Sequence, residues 1–317
     1  MTRYLLSYRN EQGEFMKIAA MDTMWMDLSL KDRMKRVGDL GFKGIQLWLG
    51  AAELGFGVVK QWPANKTPDS LWLTPKELGE TAQEAGIDIV ALGQYCILGD
   101  MNELGPTPVD VGRRREARIE DIKSMMNYVA EEGAGIVVCE SGGDPNRPEQ
   151  WKALLEITNE LVSHAEKVGA TLAMEHASIF LVDTEDALLR LVKEVESKSL
   201  KINFDPANLA LTPPGNRDIP GAIRKLKNHI VVMHAKDAIY HDGPYGTVPG
   251  RKATYDCPPI GKGQVPWKEC AKVLKEINYG GYLIVEYAEP VHAQKPENVE
   301  EGVVEGKRQL EKIFESI

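Results

Sequence analysis

The sequence predicts an α/β fold, a single closed (β/α)8 barrel, on three observations. Eight short apolar, β-branched runs alternate with longer amphipathic stretches. Several of those stretches end in glycine just before the next run, at Gly41, Gly86, Gly133, Gly169 and Gly280, where a left-handed residue closes a helix. No linker or low-complexity segment divides the series, and no Gly-x-Gly-x-x-Gly follows the first run, which disfavours an open dinucleotide-binding sheet. Residues 1–317 read as one domain, a length that suits a barrel of about 250 residues with long loops.

The predicted strands are 17–21, 44–48, 88–94, 135–140, 171–175, 201–205, 230–234 and 282–286, each followed by a helical pattern. Ser29 suits the N-cap of the first helix, and Thr74 with Pro75 supplies a cap and a proline in the first turn of the second. Thr184, with Glu185 and Asp186, opens the fifth. The loops after strands 2, 3 and 7, at 49–73, 95–111 and 243–266, are long enough to act as lids or substrate walls.

Composition narrows the function. With 38 Lys and Arg against 47 Asp and Glu the formal charge is -9, the wrong sign for binding a phosphate backbone. The four cysteines, Cys96, Cys139, Cys257 and Cys270, form no CxxC pair, so neither a zinc knuckle nor a disulfide framework is expected. The N-terminus holds two consecutive leucines before polar residues return, too few for a signal peptide or a membrane span. A cytoplasmic location is expected, with no membrane partner.

In such a barrel the functional groups stand at the C-terminal ends of the strands. Strands 5 to 8 end in Glu175, Asp205, His234 and Glu286. Residues two apart on a strand share a face, so Ala173, Asn203, Val232 and Ile284 form a mostly apolar floor beneath four converging polar groups. Three carboxylates and an imidazole in one confined site repel one another unless a cation neutralises them. Oxygen-rich ligands with one nitrogen and no thiolate suit Mn²⁺ or Mg²⁺, with Co²⁺ as a further choice, better than a structural zinc.

At these residues the chain resembles the xylose isomerase-like TIM barrels, the sugar isomerase and epimerase superfamily that includes ketose 3-epimerases, keto-inositol dehydratases, hydroxypyruvate isomerase and endonuclease IV. The resemblance rests on Glu175, on Asp205 in Asn203-Phe204-Asp205, and on His234 in the segment through Asp237. It also rests on the run from Pro259 to Gly263 before Val265-Pro266-Trp267, and on Glu286. It implies that Glu175, Asp205, His234 and Glu286 hold one catalytic ion, usually Mn²⁺ in the epimerase branch. It further implies that a ketose or keto-sugar reacts through an enediolate, with Glu175 and Glu286 exchanging the proton from opposite faces. The same enolate chemistry serves the alternative, a lyase: a dehydratase, or the catalytic subunit of a 3-keto-glycoside or C-glycoside deglycosidase that works with a small second subunit. A homo-oligomer is expected.

The chain departs from endonuclease IV, which needs three metals and further histidines. Strands 2 and 3 end here in Trp48 and Gln94, and Asn208 stands where that enzyme and some epimerases carry histidine. Nucleic acid is therefore excluded, and a branch apart from the ketose 3-epimerases is indicated. Trp48, Gln94, Glu140, His176, Asn208, Lys236 and Asp237 are candidates for contact with substrate. Glu140 is placed to bond hydroxyls, orient a ligand or steady a loop. His176 has the opposite strand parity, which allows packing beneath the helices. Lys236 is free to hold an oxyanion or stay solvated, and Asp237 to anchor its loop or support the metal site. Trp48, Trp62 and Trp72 suit stacking on a sugar face or burial.

Overall fold

The computed structural model describes residues 16–25, 28–47, 73–98, 108–132, 135–178, 180–212, 215, 217–240, 255–287 and 296–317. Seven parallel strands come first: β1 (Lys17–Met21), β2 (Gly44–Leu47), β3 (Asp88–Cys96), β4 (Ile136–Glu140), β5 (Thr171–Glu175), β6 (Leu200–Phe204) and β7 (Ile230–Ala235). Two short strands, β8 (Ile239–Tyr240) and β9 (Tyr255–Asp256), pair antiparallel in the connection after β7. The last strand, β10 (Tyr282–Val285), pairs with both β7 and β1. The order β1-β10-β7-β6-β5-β4-β3-β2 closes the predicted barrel.

Local chemistry explains the helices around it. α1 (Leu30–Asp39) starts where the Ser29 hydroxyl accepts the Asp32 N–H. α2 (Pro75–Ala85) has a full capping box between Thr74 and Glu77 and closes on Gly86 at φ 68. α3 (Pro108–Glu132) and α4 (Gln150–Val168) follow, and α5 (Glu185–Val195) is capped by Thr184. α6 (Pro206–Ala210) and α7 (Ile219–Leu226) share the connection from β6 to β7, and α8 (Trp267–Glu276) and α9 (Pro296–Glu315) flank β10. After α8 the left-handed residue is Asn278 (φ 52) rather than the expected Gly280; asparagine tolerates this conformation better than most side chains. Gly133 lies outside the described residues.

Two apolar layers hold the barrel. Between sheet and helices lies a continuous core that includes Leu154, Leu161, Leu188, Leu191, Leu274 and Val285. Inside the sheet a smaller cluster consists of Ala19, Met21, Val90, Ala91, Val138, Ala173, Val232 and Ile284. Among the described residues three register shifts disturb the sheet: between Ile45 and Gln46, between Leu92 and Tyr95, and between Ile202 and Asn203. A bulge re-aims the side chains beyond it, and each of these lies next to the mouth.

The expected strand ends move by one or two residues. β6 stops at Phe204 and β10 at Val285, so Asp205 and Glu286 stand just past the sheet, while β3 runs on to Cys96. Most of the loops expected after strands 2, 3 and 7 lie outside the described residues, but α3 already begins at Pro108. Among the described residues no helix is long and apolar enough to cross a membrane.

Candidate metal centre at the barrel mouth

Four elements bring Glu175, Asp205, His234 and Glu286 together. Glu175 ends β5, His234 sits one residue before the end of β7, and Glu286 follows β10, with its N–H bonded to the Ala235 carbonyl at 3.1 Å. Asp205 is the N-cap of α6: its Oδ1 accepts from the N–H groups of Ala207 (2.7 Å) and Asn208 (3.1 Å). That cap holds the side chain and leaves Oδ2 facing the mouth.

One potential ligand atom from each of the four lies within 4.8 Å of the others. His234 Nδ1 is 3.1 Å from Glu286 Oε2, 3.3 Å from Glu175 Oε1 and 4.0 Å from Asp205 Oδ2. Glu175, Asp205 and His234 are buried, and Glu286 is 11% exposed. Asp205 Oδ2, His234 Nδ1 and Glu286 Oε2 have no hydrogen-bond partner among the described residues. Buried polar atoms are rarely left so, and three such atoms gathered within 4.8 Å of one another beside Glu175 fit a divalent cation that displaces the His234 proton. Three carboxylates and one imidazole are a hard, oxygen-rich donor set.

Below the four, Ala173, Val232 and Ile284 belong to the inner apolar cluster, as the strand count predicts. The floor's polar member, Asn203, donates to Glu175 Oε2 at 2.8 Å and lies 3.0 Å from His234 Nε2. Asn208 donates to Glu175 Oε1 and to the His176 carbonyl, both at 3.0 Å. Sequence reasoning missed Gln46, whose amide oxygen lies 3.1 Å from His234 Nε2. The available signal was a polar residue between Ile45 and Leu47 in a strand buried throughout.

The charges divide. Burial alone would lower the His234 pKa, but the carboxylates of Glu175 and Glu286 raise it well above the usual 6.5. Burial would raise Glu286, yet Lys236 and His234 hold it well below the ordinary carboxylate range. Asp205 is pushed up to about 6 by burial and by Glu286 and Glu175, against the pull of Lys236 and His234. Lys236 Nζ lies 2.8 Å from Glu286 Oε1 and 3.8 Å from Asp205 Oδ2.

The family model described as xylose isomerase-like TIM barrel matches residues 34–312. The chain belongs to this family. An inosose dehydratase of Clostridium perfringens is 27% identical over 145 residues, covering 44% of this chain and 47% of that protein, so the match spans about half the relative's length. The structure of 3-keto-D-glucoside 4-epimerase from E. coli superposes with a TM-score of 0.66 at 15% identity, covering 94% of this chain and 99% of that one. A structure of IolI protein with a bound zinc atom gives 0.70 at 17% identity, covering 95% and 99%.

Around these four residues of the xylose isomerase-like barrel the remaining candidates take different places. Glu140 ends β4 level with Glu175, points inward above Val138, and lies 3.7 Å from the Cys96 thiol. Burial, with Glu175 and Glu286, pushes its carboxyl up to about 8. His176 is fully buried against the Phe204 ring, with centroids 5.2 Å apart; burial lowers its pKa to about 3, and neither ring nitrogen has a hydrogen-bond partner among the described residues. Asp237 gives Oδ1 to the N–H groups of Ala238 (2.9 Å) and Val265 (3.0 Å), and Oδ2 to those of Gly261 (2.8 Å) and Gly263 (3.0 Å). Its side chain thus ties the segment from Gly261 to Val265 to the end of β7. Trp48, Trp62, Trp72 and the side chain of Gln94 lie outside the described residues.

Proposed function

We propose that the chain is a divalent-metal-dependent sugar isomerase or epimerase acting on a ketose or keto-sugar, with Glu175, Asp205, His234 and Glu286 as ligands. The observation that carries this reading is the convergence of Asp205 Oδ2, His234 Nδ1 and Glu286 Oε2, buried and unbonded, beside Glu175. A bound ion, Mn²⁺ by the character of the donors, would polarise a substrate carbonyl and a neighbouring hydroxyl and so acidify the C–H between them.

Glu286 and Glu175 exchange the proton. Glu286 is kept ionised by Lys236 and His234, so it stands unprotonated and able to accept a proton at neutral pH, with Oε1 held by the Lys236 ammonium and Oε2 facing His234 Nδ1 at 3.1 Å. Glu175 is fixed by amide N–H groups on both oxygens. β5 and β10 are separated in the sheet by β6 and β7, so the two carboxylates flank whatever lies between them. Return of the proton from the opposite side inverts the carbon, and return to the neighbouring carbon isomerises the sugar.

A specific observation favours a second reading, a lyase. Burial and the charges of Glu175 and Glu286 push the Glu140 carboxyl up to about 8 at the same mouth, and a carboxylic acid there could protonate a leaving hydroxyl or aglycone. The relative named inosose dehydratase is consistent with this outcome.

Incubating the Mn²⁺-loaded protein in D₂O with a panel of ketoses and 3-keto glycosides separates the two. Deuterium in an epimeric product supports the first reading; release of water or of an aglycone supports the second. Glu175→Gln and Glu286→Gln should each lower turnover by at least about 10²-fold, with the fold preserved by circular dichroism. Normal turnover in the double variant would refute the two-carboxylate mechanism.

A further inference from the structure

Gln46 is buried on β2 at a register shift, three strands from β7 around the barrel, and neither the fold nor the proton transfer described above requires an amide there. Its Nε2 donates to the Gly93 carbonyl at 3.2 Å, while its Oε1 lies 3.1 Å from His234 Nε2. A carbonyl can only accept, so the Gly93 contact decides which end of the Gln46 amide faces the histidine. Gly93 is itself confined to glycine by its backbone. Its φ of 91 belongs to glycine, and a Cβ there would lie 3.0 Å from the Val138 carbonyl oxygen.

An amide oxygen also only accepts, so the contact with His234 becomes a hydrogen bond when Nε2 carries the hydrogen. In the neutral ring the lone pair is then on Nδ1, the atom 3.1 Å from Glu286 and 3.3 Å from Glu175. Asn203 Nδ2 also approaches His234 Nε2, at 3.0 Å, but donates to Glu175 Oε2 at 2.8 Å. When Nε2 is protonated Asn203 gives up its contact with His234 and keeps Glu175 as its acceptor, whereas Gln46 Oε1 would face a lone pair if Nε2 were not protonated.

We infer that Gln46 is a positioning residue for the metal centre: through the chain from the Gly93 carbonyl to the Gln46 amide to His234 Nε2, it sets the ring orientation and tautomer that present Nδ1 to the ion. This rests on the reading of the four residues as a divalent-cation site. Partners of this kind orient a ligating histidine, and their loss costs 10–100-fold in metal affinity.

The test uses the full chain, titrated with Mn²⁺ in a calorimeter, as wild type, Gln46→Met and Gln46→Glu, with thermal melts of each. Gln46→Met fills the same space without an acceptor and should weaken Mn²⁺ binding 10–100-fold. Gln46→Glu keeps an acceptor for Nε2–H and should bind more tightly than Gln46→Met. In the wild type loaded with diamagnetic Zn²⁺, long-range ¹H–¹⁵N spectra should place the His234 hydrogen on Nε2, a readout that does not depend on any variant folding. A wild type that binds no divalent ion overturns the metal-site reading itself. A wild type that binds while folded Gln46→Met binds within twofold, or a His234 hydrogen found on Nδ1, overturns the role of Gln46 alone.

Discussion

Glu140 and Glu286 are the same residue type at the same mouth in opposite states, and their neighbours explain why. Burial drives both carboxyls up. Lys236 and His234 contact Glu286 directly and reverse the shift. At Glu140 the fields of Glu175 and Glu286 add to burial, and Lys236 with the Cys96 thiol offsets only part of it. A folded-state pKa of about 8 against an ordinary 4.5 means that the native protein binds more protons than the unfolded chain between those values. This group's contribution to stability is therefore present below pH 4.5 and is lost as pH rises toward 8. In metal-free protein, Glu140→Gln should be neutral near pH 4.5 and more stable than wild type by about 2 kcal/mol at pH 8.5, because water at the half-buried mouth moderates a ceiling of about 1.4 kcal/mol per pH unit. Urea unfolding at both pH values measures it, and an equal effect at the two would sink the assignment. Glu175, Asp205 and Glu286 were legible in the sequence because a charge ending an apolar run is conspicuous. Gln46 was not: a single neutral amide in a buried strand shows its purpose only when β7 is placed across the barrel from it.

Whole elements carry the candidate ligands by capping and by bulging. Asp205 serves α6 with one oxygen and the mouth with the other, so the helix start and the candidate ligand are one device. Asp237 does comparable work for a loop. Replacing it with Ala leaves the N–H groups of Ala238, Gly261, Gly263 and Val265 without their acceptor. Each hydrogen bond to a charged group contributes about 1.5–3 kcal/mol, and water will recover part of the loss at the rim. Asp237→Ala should therefore lower stability by roughly 3 kcal/mol or more, whereas Thr74→Ala, which removes one capping box, should cost about 1 kcal/mol. Chemical denaturation of both variants compares them directly; equal losses would mean that the Asp237 cage does not hold in solution. The caps at Ser29, Thr74 and Thr184 were readable because capping is local chemistry. The register shifts were not, since a bulge depends on the partner strand, and the β8–β9 pair arises from residues 15 and 17 apart in the chain.

At the scale of the molecule, the closed sheet converts a one-dimensional list of strand ends into a ring, which is why the composition of the mouth was legible and its charge balance was not. In the absence of an ion, three carboxylates, Glu175, Asp205 and Glu286, face two cationic groups, protonated His234 and Lys236. Placing a cation on Nδ1 requires the proton of His234 to leave. Because that proton is held well above pH 6.5, ion binding and proton release are coupled at neutral pH. The sign follows: lower pH loads the competitor, so affinity falls with falling pH. Mn²⁺ affinity should drop about tenfold per unit between pH 7.5 and 6.5 as one proton is displaced, and more steeply below pH 6, where Asp205 also takes up a proton. Calorimetry in buffers of different ionisation enthalpy should count about one proton released per ion at pH 7. Stability follows the same linkage. An ion at 100 times its dissociation constant stabilises the fold by about 2.7 kcal/mol, so chelator should lower the melting temperature clearly at pH 7.5 and hardly at all at pH 5. A chelator effect of the same size at both pH values, or ion binding without proton release, would separate His234 from the ligand set and return the carboxylates to a site neutralised by Lys236 and the imidazolium alone.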